Sequence, residues 1–187
     1  METHRKRSSS SPDPARRRAV RLLTGLPALA VGGVLPAGSA RSAPRGTPLP
    51  RTGEPLALPD VPLFDGSLFK AEAAAGQVVV LYWWASWCPF CAVQSPEIQK
   101  LWERNRSRGL SVLGIATDAR IDAAKAYMAQ RGYTFPSAFN TPALERVLPK
   151  PGKGVPITCV RGRDGRVRMA EQGQLFPEDI EQIARFL

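Results

Sequence analysis

The sequence is poor in the side chains that bind metals and carry much of acid–base chemistry. It has three cysteines, three methionines and one histidine, His4, among 187 residues. A closed zinc site takes four cysteine or histidine ligands. The only cysteines are Cys88, Cys91 and Cys159, and we expect the N-terminal region that holds His4 to be removed. The ligand count therefore excludes a structural zinc site.

Acidic residues are also scarce, and the distribution of the excess positive charge indicates whether the protein is suited to bind nucleic acid. The net charge is +10, and residues 1–43 alone carry eight Arg/Lys against two Asp/Glu. The rest of the chain has a net charge of only +4. Its basic residues do not alternate with stacking aromatic residues, as a surface for nucleic acid requires. We therefore expect no nucleic-acid partner.

The chain lacks a hydrophobic run long enough to cross a membrane. Its N-terminal apolar stretch, Leu22 to Leu35, is interrupted by glycine and proline and falls short of the ~20 residues of a spanning helix. A basic segment, Arg16 to Arg21, precedes this stretch, and small residues follow it. This order predicts an export signal over residues 1–43. The signal is twin-arginine-like, although Ala19 stands where a larger apolar residue is usual.

The alternative for the N-terminal region is a membrane anchor that is not cleaved. In either case the folded domain would lie outside the cytoplasm, where disulfides persist. Residues 44–56 contain four prolines and two glycines and predict an extended linker. The folded domain is then expected over residues 57–187.

The segment that points to chemistry is Trp87-Cys88-Pro89-Phe90-Cys91. It follows an apolar run, Val78–Trp84, and opens a helical pattern. Two cysteines three residues apart on the first helical turn share a face, so their sulfurs can reach each other. Unpaired N–H groups and the helix dipole at that end favour the nucleophilic thiolate. Pro89 suits the first helical position. The pattern predicts a thiol–disulfide site formed by Cys88 and Cys91.

Strands alternate with helices along the rest of the domain, which predicts an α/β fold. Asp118 and Thr141 are candidate helix N-caps, and Gly132 suits a helix C-terminus. The expected inner face of the motif helix is Phe90, Val93, Ile98, Leu101 and Trp102. The predicted elements are one or two short strands joined by a turn around Asp65-Gly66, strands at 77–84 and 110–116, helices at 89–106 and 121–131, a strand at 133–139, a helix at 142–148, strands at 155–161 and 166–172, and a closing helix at 177–187.

These motifs resemble the periplasmic thioredoxin-like reductases of the TlpA/ResA/DsbE type. The resemblance rests on Trp84–Cys91, on an extra helix and strand near residues 121–139, and on Gly154-Val155-Pro156-Ile157-Thr158. It implies a thioredoxin fold: a central mixed β-sheet flanked by helices, with an N-terminal β extension and a helix–strand insertion before the proline loop. It also implies a cis peptide before Pro156; a trans turn proline is the alternative.

The resemblance further implies the roles of the site residues and the partners. Cys88 would attack a substrate disulfide and Cys91 would resolve the mixed disulfide, without a bound cofactor. Trp87, Pro89, Phe90, Val155 and Pro156 would contact the substrate protein. A membrane thiol donor of the DsbD/CcdA type would supply electrons. The clients implied are cysteines that await haem or copper, as in cytochrome c or copper-oxidase assembly.

Two positions depart from the family pattern. Tyr82 stands where thioredoxins have a buried acid, and Gln94 stands where the periplasmic reductases often have a glutamate. Neither side chain can take up the proton of the resolving thiol as a carboxylate would. Glu97 is the nearest acid further along the chain. It is a candidate proton acceptor, but a solvated residue on the surface of the helix is the simpler interpretation.

Three alternatives to a reductase remain open from the sequence. The same fold can donate disulfides, although no histidine accompanies Pro89 to stabilise a thiolate. A copper-binding assembly factor could use Cys88 and Cys91 as soft ligands, but such sites recruit His or Met. The third is a client-binding module with an incidental cysteine pair. Cys159 is expected in the core, and the basic residues Lys150, Lys153, Arg161 and Arg163 are expected in solvated positions rather than steering an acidic partner.

Overall fold

The fold is built around two apolar strands in the centre of a five-stranded sheet. The computed structural model describes residues 47–187. Strand β3, Val78–Trp84, pairs in parallel with β4, Leu110–Ala116, over its whole length. Every residue of β3 is buried, because helices or loops cover both faces of the sheet at its centre. A near-continuous apolar run is the sequence signature of such a strand.

The other strands extend the sheet on both sides in the order β5-β4-β3-β6-β7. Strand β5, Ser137–Phe139, is parallel to β4. Strand β6, Ile157–Arg161, is antiparallel to β3, and β7, Val167–Gln172, completes a hairpin with β6. The sheet is therefore mixed. Before it, β1, Val61–Pro62, and β2, Leu68–Phe69, form the expected small antiparallel extension.

Four α-helices flank the sheet in the described residues, and two apolar clusters hold the layers together. Helices α1, Pro89–Asn105, α2, Ile121–Arg131, and α4, Pro177–Glu181, contribute to one cluster, and α3, Pro142–Val147, contributes to the other. Alternate residues of β3 belong to alternate clusters, as the period of two along a strand requires.

Most predicted elements are confirmed, and the exceptions have local causes. The strand expected at 133–139 is confined to Ser137–Phe139, because Pro136 has no N–H to pair with. The closing helix is α-helical only to Glu181 and continues as a 3₁₀ helix, Gln182–Phe186. Gly132 ends α2 with φ of 68°, and Thr141 caps α3 through Leu144 N–H. Pro96 lies inside α1 without ending it.

Two predictions about side chains were wrong. Asp118 does not cap α2, whose N-cap is Arg120 without a side-chain hydrogen bond. Phe90 and Val93 do not face the core; they are 59% and 57% exposed. The inner face of α1 begins instead with Cys91, because the helix is turned so that the second cysteine points at the sheet. The buried residues of α1 are Cys91, Gln94, Ser95, Ile98, Gln99, Leu101 and Asn105.

Residues 47–56 run in an extended course along the β6–β7 hairpin. Gly53 N–H donates to the Val167 carbonyl at 2.8 Å, and Leu56 N–H donates to the Gly165 carbonyl at 2.9 Å. The boundary between linker and folded domain, placed after residue 56, remains a prediction. The predicted export signal, residues 1–43, lies outside the described residues. From residue 47 onward, none of the helices combines the length and the apolar character needed to span a membrane.

Candidate active site

The two cysteines of the motif lie at the start of α1, at the carboxyl end of β3. Cys88 is the N-cap residue, with extended backbone, and its sulfur accepts a hydrogen bond from the Cys91 N–H at 3.2 Å. Pro89 occupies the first turn as expected. Both cysteines are free thiols. The motif therefore places one sulfur against an unpaired N–H of the helix terminus, and the other one turn further in.

The proline loop faces the first cysteine across the site. The Val155–Pro156 peptide is cis, which confirms the expectation drawn from the resemblance. The Cys88 thiol donates to the Val155 carbonyl oxygen at 3.5 Å. Val155 is half-buried and Pro156 is buried. The structure thus brings together two segments that are more than sixty residues apart in the chain.

Exposed apolar side chains surround two nearly buried sulfurs. Trp87 is 66% exposed and Phe90 is 59% exposed, whereas Cys88 is 3% exposed. Pro89 is also exposed. Trp84, at the end of β3, is fully buried and is not part of this exposed rim. An exposed apolar rim around a recessed sulfur is suited to contact another protein.

Cys91 lies entirely in the protein interior, and its surroundings oppose ionisation. Burial raises the pKa of the Cys91 thiol well above its usual range, and the hydrogen bond with Cys88 raises it further. Burial also raises the pKa of the nearby Tyr82 hydroxyl. Both groups are therefore protonated at neutral pH. Cys88 is the thiol that is placed to react with a partner, and Cys91 is placed to react with Cys88.

The two positions that depart from the family pattern hold neutral, hydrogen-bonded side chains. The Tyr82 hydroxyl pairs with the Ser95 hydroxyl at 3.0 Å. Gln94 donates to Thr158 Oγ1 at 2.8 Å and accepts from Leu175 N–H at 2.8 Å. Gln94 thus ties α1 to β6 and to the segment before α4. Glu97 forms an ion pair with Lys100 at 2.8 Å on the surface of α1, which agrees with its interpretation as a solvated helix residue.

A buried carboxylate that the sequence assigned to another role supports the motif loop. Asp118 is 6% exposed, and its two oxygens each accept from Ser86 N–H at 3.2 Å. The Ser86 hydroxyl donates to the same carboxylate. The position of Asp118 in the sequence could have indicated this role. Asp118 follows β4 by two residues, and β4 ends at the same edge of the sheet as its parallel neighbour β3, which leads into the motif.

The remaining candidates have structural roles. Cys159 is 1% exposed, as expected for a core residue. The basic side chains mostly donate to backbone carbonyls. Arg163 donates to Gly76 and Arg108, Arg161 to Leu56, and Lys150 to Gly152 and Gly154. Over residues 47–187, no group of three or more His, Cys, Asp or Glu side chains is arranged to hold a metal ion.

Comparison with known proteins adds sequence similarity to this geometry. The model of the AhpC/TSA family matches residues 54–145, which include both motif cysteines. Relatives similar to this chain include the thiol–disulfide oxidoreductase ResA of Bacillus anthracis, 24% identical over 118 residues that make up 63% of this chain and 67% of ResA. The soluble secreted antigen MPT53 of Mycobacterium tuberculosis is 29% identical over 70 residues, 37% of this chain and 39% of MPT53.

A solved structure has the same fold. A thiol:disulfide interchange protein of the thioredoxin family from Chlorobium tepidum superposes with a TM-score of 0.65 at 24% identity, covering 72% of this chain and 96% of that one. The thioredoxin fold expected from the sequence is thereby confirmed. With this fold, its paired cysteines and its similarity to ResA, the protein is a thiol–disulfide oxidoreductase.

Proposed function

We propose that this protein reduces disulfides in client proteins outside the cytoplasm. Cys88 attacks a sulfur of the client disulfide, forms a mixed disulfide and releases one client thiolate. Cys91 then attacks Cys88, releases the second client thiolate and leaves a Cys88–Cys91 disulfide. The observation that carries this proposal is the asymmetry of the pair: Cys88 lies under an exposed rim, and Cys91 is fully buried behind it in the first turn of α1.

The rim and the proline loop form the client-binding surface. Trp87, Pro89 and Phe90 offer apolar contact beside the reacting sulfur. Val155 and Pro156 lie in the loop just before β6, where the Val155 carbonyl meets the same sulfur, and the half-buried Val155 presents backbone to an incoming chain. A client segment that lies extended beside Val155 would add main-chain hydrogen bonds to the contact of its cysteine.

The direction of the reaction is inferred from the contacts of Cys88. A strong disulfide donor stores free energy in a stabilised reduced form. Here the Cys88 sulfur accepts from one backbone N–H and itself donates to the Val155 carbonyl, an arrangement that hydrogen-bonds the neutral thiol. The part of the chain that the structure describes contains no histidine. These features favour a reductase over a disulfide donor.

The compartment and the partners follow from the chemistry of a reductase. The predicted export signal, of the twin-arginine type, would carry the domain to the periplasm or an equivalent space, and one relative is named as a secreted antigen. An oxidised Cys88–Cys91 pair must be reduced again, for which a membrane thiol donor of the DsbD/CcdA type is suited. The proposed clients are cysteines awaiting haem or copper in cytochrome c or copper-oxidase assembly.

The reduction potential of the Cys88–Cys91 couple tests the direction. The protein is equilibrated in glutathione or dithiothreitol buffers, and the thiols are counted after alkylation. We expect a value near about −270 mV, as in thioredoxin. A value near about −120 mV would instead assign the protein as a disulfide donor. The Cys88→Ser variant is the control for function: if it keeps full cellular activity, the cysteine pair is incidental to a client-binding role.

A further inference from the structure

Two buried hydroxyl groups lie beside the resolving cysteine. The Tyr82 hydroxyl, on β3, is 3.0 Å from the Ser95 hydroxyl, one helical turn after Cys91. Tyr82 also donates to the Cys91 carbonyl oxygen at 3.5 Å. Tyr82 is 0% exposed and Ser95 is 1% exposed. The pair is therefore shielded from water and held against the same turn of α1 as the Cys91 sulfur.

The resolving step creates a negative charge in this buried place. Cys91 must lose its proton before its sulfur can attack Cys88, and a buried thiolate is unfavourable without a hydrogen-bond donor. The neighbouring amide of Gln94 is engaged at both ends, by Thr158 and by Leu175. The Tyr82 hydroxyl is a side-chain donor at this turn, in contact with the Cys91 backbone. It acts to lower the pKa of the Cys91 thiol against the effect of burial.

The hydrogen bond between the two hydroxyls can run in either direction, so the pair can adapt when the negative charge of the Cys91 thiolate forms and is then lost. Either hydroxyl can donate to the other. When Ser95 donates to the Tyr82 oxygen, the phenolic hydrogen is released for the Cys91 sulfur. Because burial raises the pKa of Tyr82 well above its ordinary value, the phenol keeps its proton at neutral pH. It can act as a donor to the thiolate but not as a base.

We propose that Tyr82, oriented by Ser95, stabilises the Cys91 thiolate during the resolving step by donating a hydrogen bond to it, from the position where thioredoxins have a buried acid. The inference rests on the proposed dithiol mechanism. Cys91 gives up its proton, and its thiolate forms a bond to the Cys88 sulfur. The bond between Cys88 and the client sulfur breaks, and the client leaves with the electron pair and takes up the proton that Cys91 released. Tyr82 is unchanged at the end, and Ser95 is a positioning residue.

Few titratable groups face Cys91, which makes the expected pH dependence of the resolving step simple to interpret. The titratable groups that influence the pKa of the Cys91 thiol are Cys88, at the start of the same helix, and Tyr82 from β3. Strand β6 and the segment before α4 contribute Thr158 and Leu175 to this region, neither of which titrates. A change in the pH profile of the resolving step can therefore be assigned to Cys91 and its hydrogen bond.

The test separates the two chemical steps with Ellman's reagent, used below one equivalent in a Cys159→Ala background. Attack by Cys88 releases one thionitrobenzoate, and resolution by Cys91 releases a second. We expect Tyr82→Phe to leave the first release unchanged and to slow the second about 10- to 100-fold at pH 7, the effect of one hydrogen bond to a charged group. The pH profile of the second release should move upward by about one to two units.

Two further variants make the outcome decisive. Tyr127→Phe is the matched control, because the Tyr127 hydroxyl is buried without a hydrogen-bond partner within residues 47–187, and it should change neither release. Ser95→Ala should slow the second release in the same sense but less. If Tyr82→Phe is folded and its second release has a rate within twofold of the parent and the same pH profile, the inference about Tyr82 is overturned while the proposed function stands. If Tyr82→Phe does not fold, an unshifted pH profile of the second release in Ser95→Ala overturns the inference. Absence of any second release in the parent overturns the proposed function as well.

Discussion

At the scale of single residues, identical side chains are distinguished by burial. Cys88, Cys91 and Cys159 carry the same thiol, yet only Cys88 lies below an exposed rim. Cys159 pairs with Leu81 across β3 and β6, in the cluster on the face of the sheet opposite the motif. Burial raises the pKa of the Cys159 thiol to about 12. This thiol is therefore a core group with a measurable effect on stability at high pH.

The stability of the reduced protein should fall as the pH rises above 9. The folded-state pKa of Cys159 is raised from its ordinary value of 9.0, so the unfolded chain releases this proton first and the stabilisation is lost upward from pH 9. Relative to Cys159→Ala, the reduced parent should lose about 2 kcal/mol in its free energy of unfolding between pH 9 and pH 10.5. Urea titrations of both proteins check this.

Other titrating groups are common to the two proteins and cancel in the difference. Below pH 8 the difference should be constant, set by the cavity that alanine leaves. Two stability curves that run parallel up to pH 10.5 would show that Cys159 ionises freely in the folded state, and would contradict its assignment to a dry core.

At the scale of elements, the site is held by ties between the ends of strands. The motif follows β3 and Asp118 follows β4, and these parallel strands end side by side, with Trp84 opposite Ala116. The hydrogen bonds from Ser86 to Asp118 join the two loops. On α1, Gln94 makes the corresponding tie to β6. The motif is thus fixed by its neighbours on both sides and not by the helix alone.

Asp118→Ala should loosen the motif loop. The substitution leaves the Ser86 N–H without its acceptor, which we expect to cost about 1–3 kcal/mol in the free energy of unfolding. It should also slow the attack of reduced Cys88 on Ellman's reagent, because the loop that positions the sulfur is no longer fixed. Denaturant titration and the rate of the first thionitrobenzoate release check the two effects.

The matched control for this prediction is Asp122→Ala on α2. Asp122 is 77% exposed and faces Arg120 at 3.6 Å, so its removal should change stability by less than about 0.5 kcal/mol. If both variants behave alike, the carboxylate of Asp118 does not support the loop.

The elements that could be predicted from the sequence are those in which local pattern and tertiary environment agree. The strand β4 and the helix 121–131 have the predicted bounds, since the strand is a continuous apolar run and the helix ends at Gly132. The inner face of α1 was predicted only in part. Ile98 and Leu101 are buried as expected, but the face also holds polar residues that are buried through hydrogen bonds: Gln94, Ser95, Gln99 and Asn105. Hydropathy does not reveal such a face.

The candidate site shows the same limit. The cysteine pair and the proline loop were predictable, because their spacing and flanking residues are specific. Asp118 was assigned to the helix that follows it, since a sequence does not show which of two nearby backbones a carboxylate will meet. The partners of Tyr82 could not be predicted either, because Ser95 and Tyr82 meet only once α1 packs on the sheet.

At the scale of the whole molecule, residues 47–56 cover the start of the edge strand β7. They exchange backbone hydrogen bonds with its first residue: Val167 N–H donates to Glu54, and Gly53 N–H donates to Val167. Leu49 and Leu56 pack against the cluster that contains Val167. An open strand edge invites pairing with another chain, and this segment covers one end of that edge.

A protein that begins at residue 57 should therefore be less stable than one that begins at residue 47. It loses the backbone hydrogen bonds of Thr47, Gly53, Glu54 and Leu56, each worth about 0.5–1.5 kcal/mol. We expect a loss of roughly 2–4 kcal/mol in the free energy of unfolding. The shorter protein should also self-associate at lower concentration, which sedimentation measures. Equal stability of the two proteins would identify the segment as a linker without a structural role.

In the proposed mechanism, the burial of Cys91 sets the lifetime of the covalent complex with the client. Fixed one helical turn from Cys88, the second thiol would be present at an effective molarity that no dissolved thiol reaches, while its protonation at neutral pH would leave only a small fraction able to react. The encounter of the two sulfurs would then not be limiting, and proton release at the interface of helix and sheet would govern how long the complex lasts. A client would be retained for an interval set by the interior of the protein and not by the composition of its surroundings.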